Sequence, residues 1–221
     1  MADDRDLSAD SKLTRSKRLW AEEGRFLTGR HARPEEERLP PGQHLVRDWP
    51  VLDLGRQPEI ALDSWSLRLF GLVEHPMTLD WAAFQALSLR EARSDIHCVT
   101  SWSRYDNDWF GLGTRDLLDL VQPLAPATAV MLYGYDGYTT NLRLDDFAAP
   151  DALLATRWSG TPLAREHGGP MRLVVPHLYF WKSAKWLQAI EFVAEDSPGF
   201  WEVNGYHIRG DPWNEQRYAD R

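Results

Sequence analysis

Cysteine is almost absent from this sequence, because Cys98 is the only one among 221 residues. A single cysteine excludes an intrachain disulfide and fits a reducing compartment. No segment approaches the roughly 20 apolar residues of a membrane-spanning helix. Residues 1–6 contain no apolar core of a secretory signal peptide. We therefore expect a cytoplasmic protein with no membrane span.

Positive charge is also scarce. The sequence holds 25 lysines and arginines against 33 aspartates and glutamates, which gives a formal net charge of -8. Proteins that bind nucleic acid present a basic face, so we expect no nucleic-acid partner. Neither Gly-x-Gly-x-x-Gly nor Gly-x-x-x-x-Gly-Lys-Ser/Thr occurs, so the common nucleotide-binding loops are missing. His97 next to Cys98 lacks the ligand spacing of a zinc site.

Tryptophan, by contrast, is abundant, with 11 residues in the chain. Its side chain supplies a large apolar area and one N–H donor, so clusters of it wall binding pockets or fill a core. Hydrophobic residues make up 43% of the chain, as in ordinary globular proteins. The sequence has no internal repeat and no low-complexity linker, so we expect a single domain.

Apolar patterning predicts a mixture of strands and short helices. Residues 1–38 are charged and, apart from a short predicted helix at 13–27, poorly patterned; we expect them to form an arm before a domain of residues 39–221. Strands are predicted at 65–69, 94–98, 155–158, 171–175 and 190–193, with a hairpin formed by 129–133 and 138–144. Helices are predicted after a cap at Thr78 or Asp80 and after a cap at Thr114, and 145–154 forms a short helix or turn. The expected fold class is α+β with mixed, mainly antiparallel sheets and short flanking helices, because βαβ regularity is missing.

Cys98 lies directly after a predicted strand, in the stretch Ile96-His97-Cys98-Val99-Thr100-Ser101-Trp102. A cysteine thiolate can act as a nucleophile or bind a metal. A buried free thiol, in contrast, packs as a small hydrophobe. The local sequence leaves both interpretations open.

Two neighbouring segments later in the chain, 167–176 and 179–186, collect cations close to glycines. The paired glycines allow a ligand to approach the backbone closely. Polar groups that could hold a phosphate or another anion are Arg172, Lys182, Ser183 and Lys185. The same cations could instead extend to the surface or pair with carboxylates. On the residues alone, neither interpretation is favoured.

Four segments, in order, resemble the sulfite oxidase family of molybdenum enzymes. The stretch from Ile96 to Ser103, followed by Trp109-Phe110-Gly111, resembles the family's metal-ligating cysteine motif. The other three resemble its cofactor-binding segments: Leu45-Val46-Arg47-Asp48-Trp49-Pro50-Val51, His167-Gly168-Gly169-Pro170-Met171-Arg172-Leu173-Val174-Val175-Pro176 and Trp181-Lys182-Ser183-Ala184-Lys185-Trp186. The resemblance runs from about residue 39 to 218 and is greatest to small, stand-alone sulfite-oxidase-like oxidoreductases. It implies the sulfite-oxidase-type molybdopterin-binding fold.

The resemblance also implies a cofactor and residue roles. The cofactor is molybdenum held by a molybdopterin without a nucleotide, and Cys98 matches the thiolate that ligates the metal. Tyr206 matches a tyrosine beside the metal that can donate a proton or a hydrogen bond. Arg47 matches a position against cofactor or substrate, which makes it a catalytic candidate, and Asp48 stands where asparagine is usual. Cofactor contacts are implied for Arg47, Asp48, His167, Arg172, Lys182, Ser183, Ala184 and Lys185.

The implied function is two-electron oxygen-atom transfer on a small-molecule substrate, with a separate protein that gives or takes electrons. A haem domain and the immunoglobulin-like dimerisation domain of the family are missing, so a monomer is expected. True sulfite oxidases place an anion-binding arginine soon after the cysteine. Here that place holds Ser101-Trp102-Ser103, with Arg104 one step later. Two alternatives therefore stand beside sulfite oxidation: reduction of sulfoxides or N-oxides, and a non-catalytic cofactor-binding module with the same fold.

Overall fold

The computed structural model describes residues 37–219, which form eleven strands and four short α-helices. The strands are β1 His44–Leu45, β2 Ser66–Gly71, β3 Met77–Asp80, β4 Arg90–His97, β5 Trp102–Gly113, β6 Ala129–Gly134, β7 Thr139–Arg143, β8 Leu153–Trp158, β9 Thr161–Pro162, β10 Arg172–Val174 and β11 Leu187–Val193. The helices are α1 Trp81–Gln85, α2 Thr114–Val121, α3 Leu144–Phe147 and α4 Phe200–Val203, with 3₁₀ turns at Arg165–His167 and Phe180–Lys182.

One sheet is organised around β5. Strand β4 pairs antiparallel with it, from Arg90 opposite Gly111 to His97 opposite Ser103. Strand β1 runs parallel to the start of β5, and β8 pairs antiparallel with its far end. Strands β9 and β10 then pair antiparallel with β8. Cys98, the residue after β4, lies next to the start of β5, because its N–H donates to the carbonyl of Trp102.

The second sheet has the order β3-β2-β11-β6-β7. Only β2 and β11 are parallel to each other within this sheet of the described chain, with Leu69 opposite Ile190. The remaining pairs are antiparallel. The expected α+β fold with mixed, mainly antiparallel sheets in a single domain is confirmed.

A hydrophobic core joins the two sheets. On β2, Leu67 and Leu69 are completely buried while Arg68 between them is exposed, which is the alternation of a strand with one face inward. Helix α1 begins where the Asp80 carboxylate accepts the Ala83 N–H at 2.7 Å, so Asp80 is the cap. The core also takes in residues of the other sheet, namely Leu112, Leu154 and Leu173.

Most predicted elements overlap observed ones, but β1, β3, β9 and α4 were not predicted, and the strand predicted at 94–98 already begins at Arg90. The cap of α2 is Gly113, not Thr114, whose hydroxyl donates instead to the carbonyl of Phe147. The 12-residue strand β5 was not predicted, because its sequence is interrupted by residues that are rare in strands, such as Asp106 and Asn107. Of the predicted arm, only Glu37 and Arg38 are described, and the predicted helix at 13–27 lies outside the described residues.

Candidate functional site

A second buried cluster, rich in aromatic rings, surrounds Cys98 and walls a cavity of about 340 Å³. The cavity is built by the loops after β1 and β4, the segment from 166 to 185, and residues around α4. Its lining is Trp49, Pro50, Leu52, Asp53, Leu54, Cys98, Val99, Thr100, Trp102, Asp136, Tyr138, Glu166, His167, Arg172, Phe180, Trp181, Ser183, Lys185, Trp201 and Tyr206.

Cys98 reaches this cavity from the end of β4. The residue is 7% exposed, and burial raises the pKa of its thiol. The hydroxyl of Thr100 lies 3.1 Å from the sulfur. A buried thiol at the wall of a cavity becomes a thiolate when a metal ion replaces its proton, so Cys98 is placed to act as a metal ligand.

Arg172 is a buried charge of the cavity wall. Its guanidinium donates to the backbone carbonyls of His167 at 2.9 Å and Ser183 at 2.7 Å, and its carbon lies 4.1 Å from the centre of the Phe180 ring. The residue is 2% exposed, and burial lowers its pKa to about 9. Within residues 37–219 no carboxylate forms an ion pair with it. Burial of a cation without a counterion is costly, so Arg172 could bind an anionic ligand.

His167 lies next to Arg172 and lines the same cavity. Its ring stacks on Trp49, with centroids 3.9 Å apart and an interplanar angle of 8°. Burial, assisted by the charge of Arg172, lowers the pKa of His167 to about 4. The imidazole is therefore neutral at physiological pH and can accept or donate a hydrogen bond without adding charge.

Lys185 supplies a second cation to the cavity. Its ammonium donates to the carbonyl of Glu166 at 3.0 Å and lies 3.9 Å from a carboxylate oxygen of Asp53. Burial, together with the nearby Arg172, lowers the pKa of Lys185 to about 8. The side chain of Ser183 also lines the cavity, and its hydroxyl accepts the Val175 N–H at 2.9 Å. Arg172, Lys185 and His167 thus form one polar region suited to an anion.

Tyr206 lies on the same wall as Cys98. Its ring stacks on Trp201 and meets the edge of Trp181, both with centroids 4.9 Å apart. Burial raises the pKa of Tyr206, the charges of Tyr218 and Cys98 act in the same direction, and the ring packs against the buried cluster that contains Cys98. Within residues 37–219 none of the side-chain hydrogen bonds involves its hydroxyl, and the residue lines the cavity.

Four residues with implied cofactor contacts do not line the cavity. Arg47 and Asp48 are exposed, whereas their neighbour Trp49 points into it. Ala184 is packed in the core between the sheets. The structure therefore brings together Cys98, His167, Arg172, Ser183, Lys185 and Tyr206, and separates them from Arg47, Asp48, Lys182 and Ala184.

Lys182 is placed behind the cavity wall for a physical reason. Its ammonium lies 2.6 Å from Glu202 and 2.7 Å from the Asn141 side-chain oxygen, and it also donates to the carbonyl of Ile208 at 2.6 Å. The side chain is completely buried and its donors are taken. No sequence pattern shows which way the side chains of Lys182 and Lys185 point, so both were predicted to contact the cofactor.

The structure adds residues that the sequence did not identify as parts of a site. The segment after β1 contributes Trp49 and Asp53, and the cysteine loop, residues 98–101 between β4 and β5, contributes Thr100. These residues lie in irregular backbone, where no periodicity reports which way a side chain points. The one available signal was the position of Trp49 directly after the Arg47-Asp48 pair.

The wall on the cysteine side is aromatic rather than cationic. Trp102 lines the cavity and is 6% exposed. The guanidinium of Arg104 turns away, donating to the carbonyl of Arg47 at 3.0 Å and to Asn107 while lying over the ring of Trp158. Among the described lining residues, Arg172 and Lys185 are the only arginine and lysine.

The combination of a thiol and an unpaired buried guanidinium fits a cofactor that carries both a soft metal and a phosphate. Sulfur donors suit such metals, and guanidinium groups suit phosphate oxygens. No group of three or more His, Cys, Asp or Glu side chains within residues 37–219 could hold a metal ion by itself. A metal at Cys98 therefore needs further ligands from the cofactor. Within the same residues, no helix has the length and apolar character needed to cross a membrane.

Comparison with known proteins gives consistent results. The family model described as oxidoreductase molybdopterin binding domain matches residues 54–201. The chain is 50% identical over 183 residues to the uncharacterized oxidoreductase YuiH of Bacillus subtilis (strain 168), which covers 82% of this chain and 92% of YuiH. It is 29% identical over 157 residues to the protein-methionine-sulfoxide reductase catalytic subunit MsrP of Campylobacter jejuni, covering 63% of this chain and 52% of MsrP, so it spans about half of that relative.

A solved structure extends the comparison to the fold. The sulfane dehydrogenase SoxCD from Paracoccus pantotrophus matches with a TM-score of 0.58 at 18% identity, covering 63% of this chain and 40% of that chain. The fold and the cavity thus define an oxidoreductase with the sulfite-oxidase-type fold, as predicted. The chain belongs to the oxidoreductase molybdopterin-binding domain family, and its cofactor is molybdenum-bearing molybdopterin.

Proposed function

We propose that this enzyme catalyses two-electron oxygen-atom transfer at a molybdenum ion whose only protein ligand is Cys98. The observation that carries the proposal is the presence of the chain's single cysteine and the unpaired, buried Arg172 in one cavity. The first supplies a sulfur donor for the metal, and the second supplies a charge for the pterin phosphate. Family membership supports the same assignment.

The polar region of the cavity would hold the pterin. Arg172 and Lys185 provide two cations, while Ser183 and the neutral His167 provide hydrogen-bonding groups. Because Arg172 is fixed by backbone carbonyls, little side-chain entropy is lost when it binds a phosphate. The proposal leaves out Arg47, Asp48, Lys182 and Ala184, since none of them lines the cavity.

The bound cofactor supplies the two-electron chemistry and the site of oxygen transfer. Tyr206 is the proton donor in this proposal, because it lines the same cavity as Cys98 and packs against the cluster that contains Cys98. The aromatic rings of Trp102, Trp181 and Trp201 limit the access of water and give the substrate an apolar wall.

The substrate in this proposal is a neutral sulfoxide or N-oxide rather than sulfite. Trp102 occupies the wall beside Cys98, and Arg104 is directed to Asn107 and Trp158, so neither of these positions supplies a cation to an anionic substrate. Reduction of a sulfoxide consumes two electrons and two protons and releases a thioether and water. The name of the relative MsrP supports sulfoxide chemistry. Aromatic rings also make favourable contacts with thioether sulfur.

The electron partner, the cellular location and the oligomeric state of the enzyme are likewise proposals. One cysteine cannot hold an iron–sulfur cluster, which takes four, nor the two thioether bonds of a c-type haem. We therefore propose that a separate protein delivers or removes the electrons. A cytoplasmic location and a monomeric state complete the proposal, the former because a lone free thiol fits a reducing compartment.

The proposal is tested with Cys98→Ser protein made in a host that synthesises the cofactor. Wild-type protein should contain about one molybdenum per chain by plasma mass spectrometry and show a sulfur-to-molybdenum charge-transfer band. Cys98→Ser should keep its fold and much of its pterin, because Arg172 and Lys185 remain, but lose that band and nearly all oxygen transfer. Ala155→Ser, which adds a hydroxyl to a buried residue outside the cavity, serves as the control. Unchanged absorption and turnover in Cys98→Ser would reject metal ligation by Cys98.

A further inference from the structure

The cysteine loop contains a contact that the proposed function does not use. The hydroxyl oxygen of Thr100 lies 3.1 Å from the sulfur of Cys98, and Thr100 itself is exposed at the cavity wall. Within residues 37–219 no other side chain makes a hydrogen bond to this sulfur. When the sulfur is a metal-bound thiolate it has no proton to donate, so the hydroxyl of Thr100 must be the donor.

The backbone of the loop fixes the distance between these two residues. The N–H of Cys98 donates to the carbonyl of Trp102 at 2.8 Å, and the N–H of Ser101 donates back to the carbonyl of Cys98 at 3.1 Å. Ser101 closes this turn in the left-handed region, with φ of 73°. Thr100 is therefore held between two backbone hydrogen bonds rather than in a freely moving loop.

Two side chains from distant parts of the chain hold the same loop from outside. Gln43 donates its amide to the carbonyl of Cys98 at 3.1 Å, and Arg217 donates to the carbonyl of Val99 at 2.6 Å. The two residues are separated from the loop by 55 and 118 positions in sequence. Two long-range hydrogen bonds thus hold the backbone segment that places the Thr100 hydroxyl next to the Cys98 sulfur.

We propose that Thr100 is a positioning residue whose hydroxyl donates a hydrogen bond to the Cys98 thiolate and thereby raises the reduction potential of the metal bound there. This inference rests on the proposed role of Cys98 as the metal ligand. A hydrogen bond withdraws electron density from the sulfur, which stabilises the more electron-rich, reduced metal. Hydrogen bonds to ligand sulfurs tune potentials in copper and iron–sulfur proteins in the same way.

The test compares Thr100→Val, which has nearly the same shape and no hydroxyl, with Thr100→Ser, which keeps the donor, both as holoenzyme. The Mo(VI)/Mo(V) potential is measured by electron paramagnetic resonance during a redox titration, together with the charge-transfer band. In Thr100→Val the equilibrium should shift toward the oxidised metal by roughly tenfold, which is about 59 mV for a one-electron couple, and the band should move to lower energy. Thr100→Ser should stay close to wild type. Thr128→Val, which removes a hydroxyl that donates to the carbonyl of Ala194 outside the cavity, is the control.

Three results would overturn the inference. A Thr100→Val protein with full molybdenum content and unchanged potential and band would do so, as would a Thr100→Ser protein shifted as far as Thr100→Val. If Cys98→Ser retained the band, the proposed metal ligation would fail, and this inference with it. If Cys98→Ser lost the band while Thr100→Val had no effect, only the role of Thr100 would fail.

Discussion

At the scale of one residue, the surroundings of the Arg172 guanidinium are suited to binding an anion. Its guanidinium is 2% exposed and hydrogen-bonds only to backbone carbonyls within the described chain. Desolvation of such a cation is costly, and burial lowers its pKa to about 9. The backbone carbonyls of His167 and Ser183 offset part of this cost by partial charges. An anion bound in the cavity, as proposed, would supply the missing full charge.

Replacement of Arg172 tests this argument. Arg172→Ala should lower the pterin content of the purified protein, because one charge-assisted hydrogen bond contributes about 1.5–3 kcal/mol, or roughly one to two decades in affinity. Pterin fluorescence per chain after dilution and dialysis measures the effect. Arg93→Ala is the matched control, since this guanidinium is half exposed and pairs with Asp108 away from the cavity. Full pterin content in Arg172→Ala would make Arg172 a structural residue.

Single residues also mark the limit of prediction from the sequence. Cys98 could be singled out because it is unique, and Arg172 because a charge inside an apolar strand demands a partner. The difference between Lys182 and Lys185 could not be read, because it depends on which way a 3₁₀ turn directs each side chain. Thr100 resembled any turn residue until the loop geometry brought its hydroxyl to the sulfur.

At the scale of secondary structure, Lys182 connects the cavity to the segment that carries Tyr206. Its ammonium pairs with Glu202 on α4, and the same Glu202 oxygen accepts the indole N–H of Trp181 at 2.8 Å. Lys182 also holds the carbonyl of Ile208. Since Trp181 and Tyr206 both line the cavity, this buried ion pair fixes two of its walls from behind.

Lys182→Met should therefore destabilise the fold rather than weaken the cofactor directly. Removal of one partner of a buried ion pair leaves the other charge uncompensated and costs about 3–5 kcal/mol. The free energy of unfolding, measured with denaturant on cofactor-free protein, gives the size of the loss. Lys185→Met should show the opposite pattern, with a near-normal stability and less pterin, because Lys185 faces the cavity. A Lys182→Met protein of normal stability that lacks pterin would restore the assignment made from the sequence.

A second link between elements depends on pH. The imidazole of His177 lies 3.1 Å from Asp146 on α3 and 3.8 Å from Asp151, and Arg209 makes two hydrogen bonds to the same Asp146 carboxylate. Burial opposes the charged ring, but the hydrogen bonds and charges of the two aspartates outweigh it and raise the pKa of His177 to about 9. Burial likewise opposes the charge of Asp146, yet His177 and Arg209 hold the pKa of this carboxyl well below its usual range.

The pH dependence of stability follows from the direction of the His177 shift. The folded protein binds the proton more tightly than the unfolded chain, whose histidine has a pKa of 6.5. The contribution of protonated His177 to the free energy of unfolding is therefore complete below pH 6.5 and is lost as the pH rises through about 9. Its size is about 1.4 kcal/mol per unit of pKa difference before screening by solvent. Melting temperatures from pH 6 to 10 should fall less steeply in His177→Gln than in wild type. Parallel curves for the two proteins would refute this linkage.

A strand was predictable where it alternates between a buried and an exposed face. A strand with partner strands along both edges was harder to predict. Strand β2 alternates between buried leucines and outward residues, so its pattern is legible. Strand β5 has partners along both edges and keeps Asn107 buried by hydrogen bonds to the carbonyls of Ser94 and Arg104. Tertiary pairing decides such a strand, and a local propensity argument misses it.

At the scale of the whole molecule, the two sheets share a core while the cavity lies beside the smaller aromatic cluster. Its lining comes from residues 49 to 206, which means that nearly the full described chain must fold before the site exists. Sequence motifs identified the family because they are local. The division of the cavity into a charged region, where Arg172 and Lys185 lie with Asp53, Asp136 and Glu166, and an aromatic wall at Trp102 and Trp201 is a product of the fold.

This division leads to a prediction about the substrate of the whole enzyme. The two cations of the described lining donate to neighbouring backbone carbonyls, Arg172 to His167 and Lys185 to Glu166, and a bound pterin phosphate would neutralise them. An anionic substrate at Cys98 would then meet the uncharged side chains of Trp102 and Tyr206, with Arg217 outside the cavity lining, whereas a neutral sulfoxide or N-oxide would lose little on desolvation. With a reduced viologen as electron donor, dimethyl sulfoxide, methionine sulfoxide and trimethylamine N-oxide should be reduced more efficiently than sulfite is oxidised with ferricyanide. Protein made without the cofactor controls for reactions of the dyes alone. Sulfite turnover in the ordinary range of roughly 1–1000 per second would show that the aromatic wall does not exclude anions.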